Sequence, residues 1–130
     1  MILLDTHMWY WWAGNFPRLT ARHRELIEAC QSEGLGLSVI SCWEVAKKHY
    51  LGKLELSEPL DIWLPRALSL PGLLLLPVTP TIALESARLP DDFRSDPADE
   101  LIVSTARVYD CALLTADAKI LNYSHVKTLQ

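Results

Sequence analysis

The chain has no apolar run long enough to cross a membrane. Beyond the first 13 residues no apolar run is longer than four residues, as in Leu73–Leu76, far short of the ~20 residues that a membrane helix requires. The apolar segment Met1–Leu4 has no basic flank and stops at Asp5, so it lacks the composition of a secretory signal peptide. We therefore expect a cytoplasmic protein with no membrane partner.

Cysteine is scarce and shows no metal-binding pattern. The three cysteines, Cys30, Cys42 and Cys111, are widely spaced, form no CxxC motif and have no histidine at a zinc-ligand spacing. This spacing excludes a disulfide framework and disfavours a zinc site. We expect the three thiols to be buried and reduced.

Positive charge is also in short supply. The 12 lysines and arginines against 16 aspartates and glutamates give a net charge of −4, which disfavours binding of nucleic acid through a broadly basic surface. A nucleic-acid enzyme that reaches phosphate through bound cations and a local basic patch stays open. Lys47 and Lys48, with Lys53 nearby, form the densest basic cluster, and Arg94 is the other candidate; these lysines are either a solvated helix face or an RNA-binding surface.

The apolar residues that are present suffice for one packed core. They make up half of the 130 residues, and short apolar runs alternate with segments of helical pattern. The predicted strands are Met1–Leu4, Leu37–Ile40, Leu73–Leu76 and Ala112–Leu114, with Val126 at the start of a fifth. This alternation predicts an α/β fold with helices on both sides of a mainly parallel sheet, in a single domain over residues 1–130.

Helix-start and helix-stop residues predict helices between these strands. Thr20 and Ser41 are predicted N-caps, and Thr79 and Asp96 each precede a proline at the first helical position. Gly36 is predicted to lie in the turn that closes the second helix. The predicted helices cover residues 8–13, 19–32, 42–51, 60–70, 80–89, 97–109 and 119–123.

Four acidic residues stand at or near the points where a strand or loop gives way to a helix. They are Asp5, Glu44, Asp99 and Asp117. Taken alone, each has a structural explanation: two are N-caps, one would form a capping box with Ser41, and one lies in the first turn behind Asp96.

Taken together, these acids predict a metal site. The ends of parallel strands lie ~4.8 Å apart at one edge of the sheet, where α/β proteins place their sites. Carboxylates crowded there repel one another unless a cation lies between them. Oxygen ligands without histidine or cysteine favour Mg²⁺ or Mn²⁺, and a carboxylate-held ion of this kind suits phosphoryl chemistry.

Several polar residues beside these acids are candidates for auxiliary roles. The hydroxyls of Thr6, Ser41 and Thr115 could orient a water or a phosphate oxygen, or could be ordinary capping and turn residues. Asp96 is a further acid near the predicted site. His7 is either close to the substrate phosphate or a residue that covers the sheet edge.

An aromatic run, Met8-Trp9-Tyr10-Trp11-Trp12-Ala13, follows the first of these acids. All its rings cannot face one core, so the run is predicted to combine core residues with a lid over the strand edge or with a surface for a protein partner. Base stacking is the third alternative; stacking platforms are usually accompanied by basic residues, and Arg18 is the nearest positive charge here.

Four motifs in order resemble the PIN-domain family, in particular the VapC-type toxins of bacterial type II toxin–antitoxin pairs. They are Leu3-Leu4-Asp5-Thr6-His7, Ser41-Cys42-Trp43-Glu44-Val45-Ala46-Lys47 with Leu51-Gly52-Lys53-Leu54, Asp96-Pro97-Ala98-Asp99, and Leu114-Thr115-Ala116-Asp117. The resemblance spans almost the whole chain, and the four motifs together are far more specific than any single acid.

The resemblance implies a PIN-like fold and a metal-dependent endoribonuclease that forms a homodimer and is inhibited by a cognate antitoxin. It places the family's acidic quartet, as catalytic residues and metal ligands, on Asp5, Glu44, Asp99 and Asp117. The chain departs from the pattern at Glu100, where related chains often carry arginine; this puts a contact to RNA or antitoxin in doubt.

Two other functions stay open at this stage. Haloacid-dehalogenase-like phosphatases also begin with a strand that ends in aspartate and also use Mg²⁺, but they need a second acid where this chain has His7. An inactive domain of the same fold that binds a partner through the aromatic run is the non-enzymatic alternative.

Overall fold

A five-stranded, fully parallel sheet forms the centre of the protein, for which a computed structural model describes all 130 residues. The strands are β1 Ile2–Leu4, β2 Leu35–Ser38, β3 Leu73–Leu76, β4 Ala112–Leu114 and β5 Thr128–Leu129. Their order across the sheet is β3-β2-β1-β4-β5, so β1 is the central strand. The predicted parallel α/β architecture is confirmed.

Seven helices connect the strands. They are α1 Thr6–Gly14, α2 Ala21–Cys30, α3 Val39–Tyr50, α4 Leu60–Leu68, α5 Pro80–Ala87, α6 Pro97–Val108 and α7 Ala118–Leu121. The predicted caps Thr20, Thr79 and Asp96 are confirmed, because each side chain accepts a hydrogen bond from the backbone N–H three residues later. No helix is both long and apolar enough to be a membrane-crossing segment.

Helices cover both faces of the sheet, which makes three layers. Ile2 and Leu4 of β1 pack into one buried cluster, which includes Trp9 and Trp63, and Leu3 between them packs into a second cluster on the other face. This alternation follows from the two-residue period of a β-strand. The second cluster contains residues of α6, β4 and α7, namely Ile102, Val103, Ala106, Leu113 and Ile120.

The boundary between β2 and α3 differs from the prediction. The strand was expected at Leu37–Ile40 with Ser41 as the helix cap, but it runs from Leu35 to Ser38, and the Ser38 hydroxyl accepts from the Ile40 N–H at 3.2 Å. Gly36, expected in a turn, lies inside the strand. A Cβ there would be 3.0 Å from a Leu76 methyl group, so the glycine permits close packing between strands.

The first helix also begins earlier than predicted, at Thr6 rather than Met8. Asp5 is its N-cap, and the backbone carbonyl of Asp5 accepts the first helical hydrogen bond, from Trp9 N–H at 3.1 Å. His7 therefore lies in the first turn of a helix, directly above the end of the central strand.

Candidate active site

One cavity at the carboxyl edge of the sheet gathers all of the predicted acids. It has a volume of about 390 Å³. The acids that line it are Asp5, Glu44, Asp96, Asp99 and Asp117, together with Glu55. The structure thus places the predicted acids on the walls of one cavity, although Glu44 lies inside α3 and not at its start.

Asp5, at the end of the central strand, is buried, with 3% of its surface exposed. Its Oδ1 accepts from the Thr6 N–H at 2.8 Å, and its Oδ2 accepts from the Thr115 hydroxyl at 2.6 Å. His7 Nδ1 lies 3.6 Å from the same Oδ2. Burial raises the pKa of Asp5 above its usual value, while His7, Thr115 and Thr6 favour the charged form.

Thr115 joins two of the acids. Besides donating to Asp5, its hydroxyl accepts from the Asp117 N–H at 3.0 Å. Asp117 in turn caps α7, because its Oδ1 accepts from the Lys119 N–H at 2.8 Å. One buried hydroxyl therefore bridges the acids at the ends of the paired strands β1 and β4.

Glu44 has one satisfied and one unsatisfied oxygen. Its Oε2 accepts from Lys48 Nζ at 2.9 Å, one helical turn away, while its Oε1 is buried and has no hydrogen-bond partner. The predicted capping box with Ser41 is wrong, because α3 begins two residues before Ser41. The Ser41 hydroxyl instead bonds to the Thr6 hydroxyl at 2.8 Å and ties α3 to α1.

The loop before α6 positions Asp99. Asp96 Oδ1 accepts from the Asp99 N–H at 2.9 Å, and the Ser95 hydroxyl donates to Asp99 Oδ2 at 2.6 Å. Glu100, which departs from the family pattern, accepts from the Ser95 N–H at 3.1 Å. Its carboxylate therefore holds the loop that presents Ser95 to Asp99.

Asp99 is the cavity acid on which burial and the neighbouring carboxylates act together. Burial, helped by the charges of Asp96, Asp5 and Asp117 and opposed by the Ser95 hydroxyl, raises the pKa of Asp99 from 3.8 to about 6. A large share of Asp99 side chains is then protonated just below neutral pH.

A divalent cation fits this cavity by donor chemistry and by charge. The acids of the cavity supply carboxylate oxygens, the preferred ligands of Mg²⁺ and Mn²⁺, and the buried Oε1 of Glu44 lacks any partner. No three acidic, histidine or cysteine side chains form a ready-made ligand set. Mg²⁺ usually keeps several waters and is bound through one or two carboxylates, so binding in this cavity does not need a set of three.

The predicted basic residues differ in whether they line the acidic cavity. Lys48 lines the cavity, as do Lys53 and Arg18. Lys47 lines an adjoining groove, which shares Lys48 and Lys53 with the cavity. Arg94 lies outside both, exposed, and its Nε donates to Asp92 Oδ1 at 2.9 Å.

Sequence reasoning offered a lid or a base-stacking surface for the aromatic run, but it did not single out Tyr10, Trp11 or Arg18 as residues of the cavity wall. The aromatic run divides its rings between core and cavity: Trp9 is fully buried and donates to the Ala67 carbonyl at 3.0 Å, whereas Trp11 faces the acids. Trp11 follows His7 by four residues, a spacing that places both side chains on one face of a helix. This spacing indicates a position for Trp11 beside the acids only if α1 begins before His7.

These features define an α/β protein with an acidic cavity at the carboxyl edge of its central strands. The PIN domain family model matches residues 2–126. The chain is 31% identical over 124 residues to Ribonuclease VapC22 of Mycobacterium tuberculosis, covering 95% of this chain and 92% of that protein. The chain belongs to the PIN domain family.

Two solved structures share the fold. VapBC2 from Rickettsia felis, bound to a promoter DNA fragment, has a TM-score of 0.73 at 17% identity and covers 99% of this chain and 98% of its own. A toxin–antitoxin complex from Klebsiella pneumoniae has a TM-score of 0.69 at 15% identity, covering 100% of this chain and 97% of its own. At these identities the likeness establishes the fold.

We expect Asp99→Asn to stabilise the metal-free protein at neutral pH. The pKa of Asp99 is about 6 in the folded protein and 3.8 as its ordinary value. The contribution of this side chain to folding stability is therefore fully present below the unfolded pKa and is lost as pH rises through 6. The gain at pH 7.5 should be about 1 kcal/mol, since solvent screens a half-exposed carboxylate, and should vanish below about pH 4.

Urea unfolding in EDTA between pH 4 and 8 measures this effect. Asp61→Asn, an equal charge change at an exposed position on α4, is the control and should not stabilise. A gain for Asp99→Asn that is the same at all pH values would contradict the assigned repulsion.

Proposed function

We propose that this protein is a metal-dependent endoribonuclease that acts as the toxin of a toxin–antitoxin pair. The observation that carries this proposal is the convergence of Asp5, Glu44, Asp99 and Asp117 on one cavity in a chain of the PIN domain family. The identity of 31% to a protein named as a ribonuclease supports the reaction class. We further propose that residues 1–130 form one catalytic domain.

The proposed catalytic residues and metal ligands are Asp5, Glu44, Asp99 and Asp117, with Asp96 as an auxiliary acid. A bound Mg²⁺ or Mn²⁺ would activate a water and offset charge on the phosphodiester oxygens. Each carboxylate has only a few orientations open to it, because neighbouring groups hold the acids in place.

The chain's hydroxyls and lysines supply orientation and charge. Thr115 and the Thr6 N–H fix Asp5, and the Thr6 to Ser41 bond holds α3, which carries Glu44, against α1. Lys48 is within reach of both the acids and the solvent, so we propose that Lys48 and Lys47 bind the RNA backbone. Arg94 stays a weaker proposal, because it lies outside the cavity.

Asp5→Asn and Asp99→Asn should each reduce cleavage of a single-stranded RNA by at least about 100-fold, as expected for loss of a charged group that acts on the transition state. The measurement is single-turnover cleavage in Mg²⁺ and in Mn²⁺, with circular dichroism to verify folding. Asp61→Asn should cleave like the wild type. If both site variants fold and still cleave, the proposed site is wrong.

Mn²⁺ should bind the metal-free protein and raise its melting temperature, because an ion that binds only the folded state stabilises it. Calorimetric titration into EDTA-treated protein measures the binding, and Asp5→Asn should weaken it. This experiment also tests the alternative of an inactive partner-binding module. That alternative predicts no binding, or binding that Asp5→Asn leaves unchanged.

We also propose a cognate antitoxin, a homodimer and a cytoplasmic location. One of the structures with this fold is a toxin–antitoxin complex, which supports the antitoxin. An exposed apolar stripe on α3 supports a second copy: Val39, Trp43 and Tyr50 lie four and seven residues apart, on one helix face, and 53% of Trp43 is exposed.

Light scattering during size-exclusion chromatography tests these partners. The chain alone should elute at twice its 14.7 kDa, and a Trp43→Glu and Tyr50→Glu double variant should be monomeric. Co-expression with the product of a small gene directly upstream should yield a larger complex without RNA cleavage. A monomeric wild-type chain would rule out the homodimer, and full cleavage by the co-expressed complex would rule out that partner as the antitoxin.

A further inference from the structure

Three side chains lie against one another at one rim of the acidic cavity. Arg18 Cζ lies 4.9 Å from the centroid of the Trp11 ring, and the Trp11 and His7 rings are 4.8 Å apart between centroids. The Ala116 N–H donates to His7 Nε2 at 3.0 Å, which fixes the His7 ring. We call this set of three the Arg18 rim.

The Arg18 rim is continuous with the acidic cavity. Its three side chains line a second, open cavity of about 300 Å³ with Ala116 and Asp117, and Asp117 lines the acidic cavity as well. The groove of Lys47 adjoins the acidic cavity through a different set of residues, which includes Glu44 and Lys48. A chain that crosses the acids thus meets a basic group on each of two separate walls.

Arg18 is free to bind a ligand. It is exposed, and it takes part in none of the seven ion pairs and none of the thirty side-chain hydrogen bonds of the protein. Lys48, by contrast, is already paired with Glu44. Stacking on Trp11 limits the rotamers of the guanidinium while leaving its N–H groups unpaired, so that less entropy is lost when it binds an anion.

An anionic strand approaching this cavity faces strong repulsion from its carboxylates. An unpaired arginine on the wall beside Asp117 offsets part of that repulsion. Its planar fork matches the geometry of phosphate oxygens. These features favour a polyanion that runs through the cavity over an isolated small anion.

We propose that the Arg18 rim is a phosphate subsite for the RNA substrate, next to the phosphate that is cleaved. Arg18 contacts a backbone phosphate, and Trp11 and His7 are positioning residues for its guanidinium. This inference rests on the proposed ribonuclease function and adds a binding residue to it. The contact is to the backbone and carries no base preference of its own.

Arg18→Ala should raise KM for a single-stranded RNA about 10-fold and leave kcat within about twofold, as expected for a charge-assisted contact made equally in the ground and transition states. The dependence of log(kcat/KM) on log[salt] should become shallower by about 0.7, the value of one phosphate contact on a single strand. Arg22→Ala, the same charge change at an exposed residue outside the cavity, should behave like the wild type.

Uncharged backbone linkages in the RNA substrate show which phosphate Arg18 contacts. After the cleavage site is mapped, single methylphosphonate linkages, each protected by a 2′-O-methyl group, are placed at successive positions, with 2′-O-methyl alone as the control. One position near the cleaved bond should cost the wild type about 10-fold in kcat/KM and cost Arg18→Ala nothing. Trp11→Leu should reduce the coupling at that same position, and Trp11→Phe should retain it.

Three results would overturn the inference while leaving the ribonuclease function intact. In the first, Arg18→Ala is indistinguishable from Arg22→Ala. In the second, the effect of Arg18→Ala is spread equally over all linkages. In the third, Arg18→Ala cleaves RNA with normal kinetics but loses binding to an acidic partner peptide. A wild-type protein that cleaves none of the oligonucleotides would overturn the proposed function, and the inference with it.

Discussion

Mutual repulsion among carboxylates is the constraint on which the arrangement of this site depends. Parallel strands bring their carboxyl ends together, and the helices that follow begin with acids. The result is a cavity in which burial and neighbouring charge raise the pKa of Asp99 to about 6. One oxygen of Glu44 is also buried there without a hydrogen-bond partner. The free protein is held in a state that a divalent cation would relieve.

A set of short polar contacts keeps this strained group in position. Thr115 donates to Asp5 and accepts from the backbone of Asp117, and Ser95 donates to Asp99. The bonds that Thr115 and Ser95 donate go to carboxylates, and hydrogen bonds to charged groups contribute about 1.5–3 kcal/mol. These contacts limit the directions in which the carboxylates can relax away from one another.

Helix capping and site formation turn out to be compatible roles for the same residues. Asp5, Asp96 and Asp117 each accept a backbone hydrogen bond at a helix start and also line the cavity. A carboxylate has lone pairs for more than one partner, so a capped helix start presents an acid at a defined place. The capping interpretation and the metal-site interpretation were therefore never exclusive for these residues.

The sequence determined the alternation of strands and helices, the position of most caps and the identity of the acids, because those depend on local pattern and on chemistry within a few residues. It did not determine that β2 includes Gly36, since the glycine there is explained by the close packing of side chains from the neighbouring strands, Leu76 and Leu3. Nor did it determine the partner of Ser41 or the position of Arg18 beside Trp11. The Ser41 contact joins α3 to α1, and Arg18 with Trp11 meets acids of other elements at the cavity. Both depend on how the helices pack on the sheet, which only the tertiary structure decides.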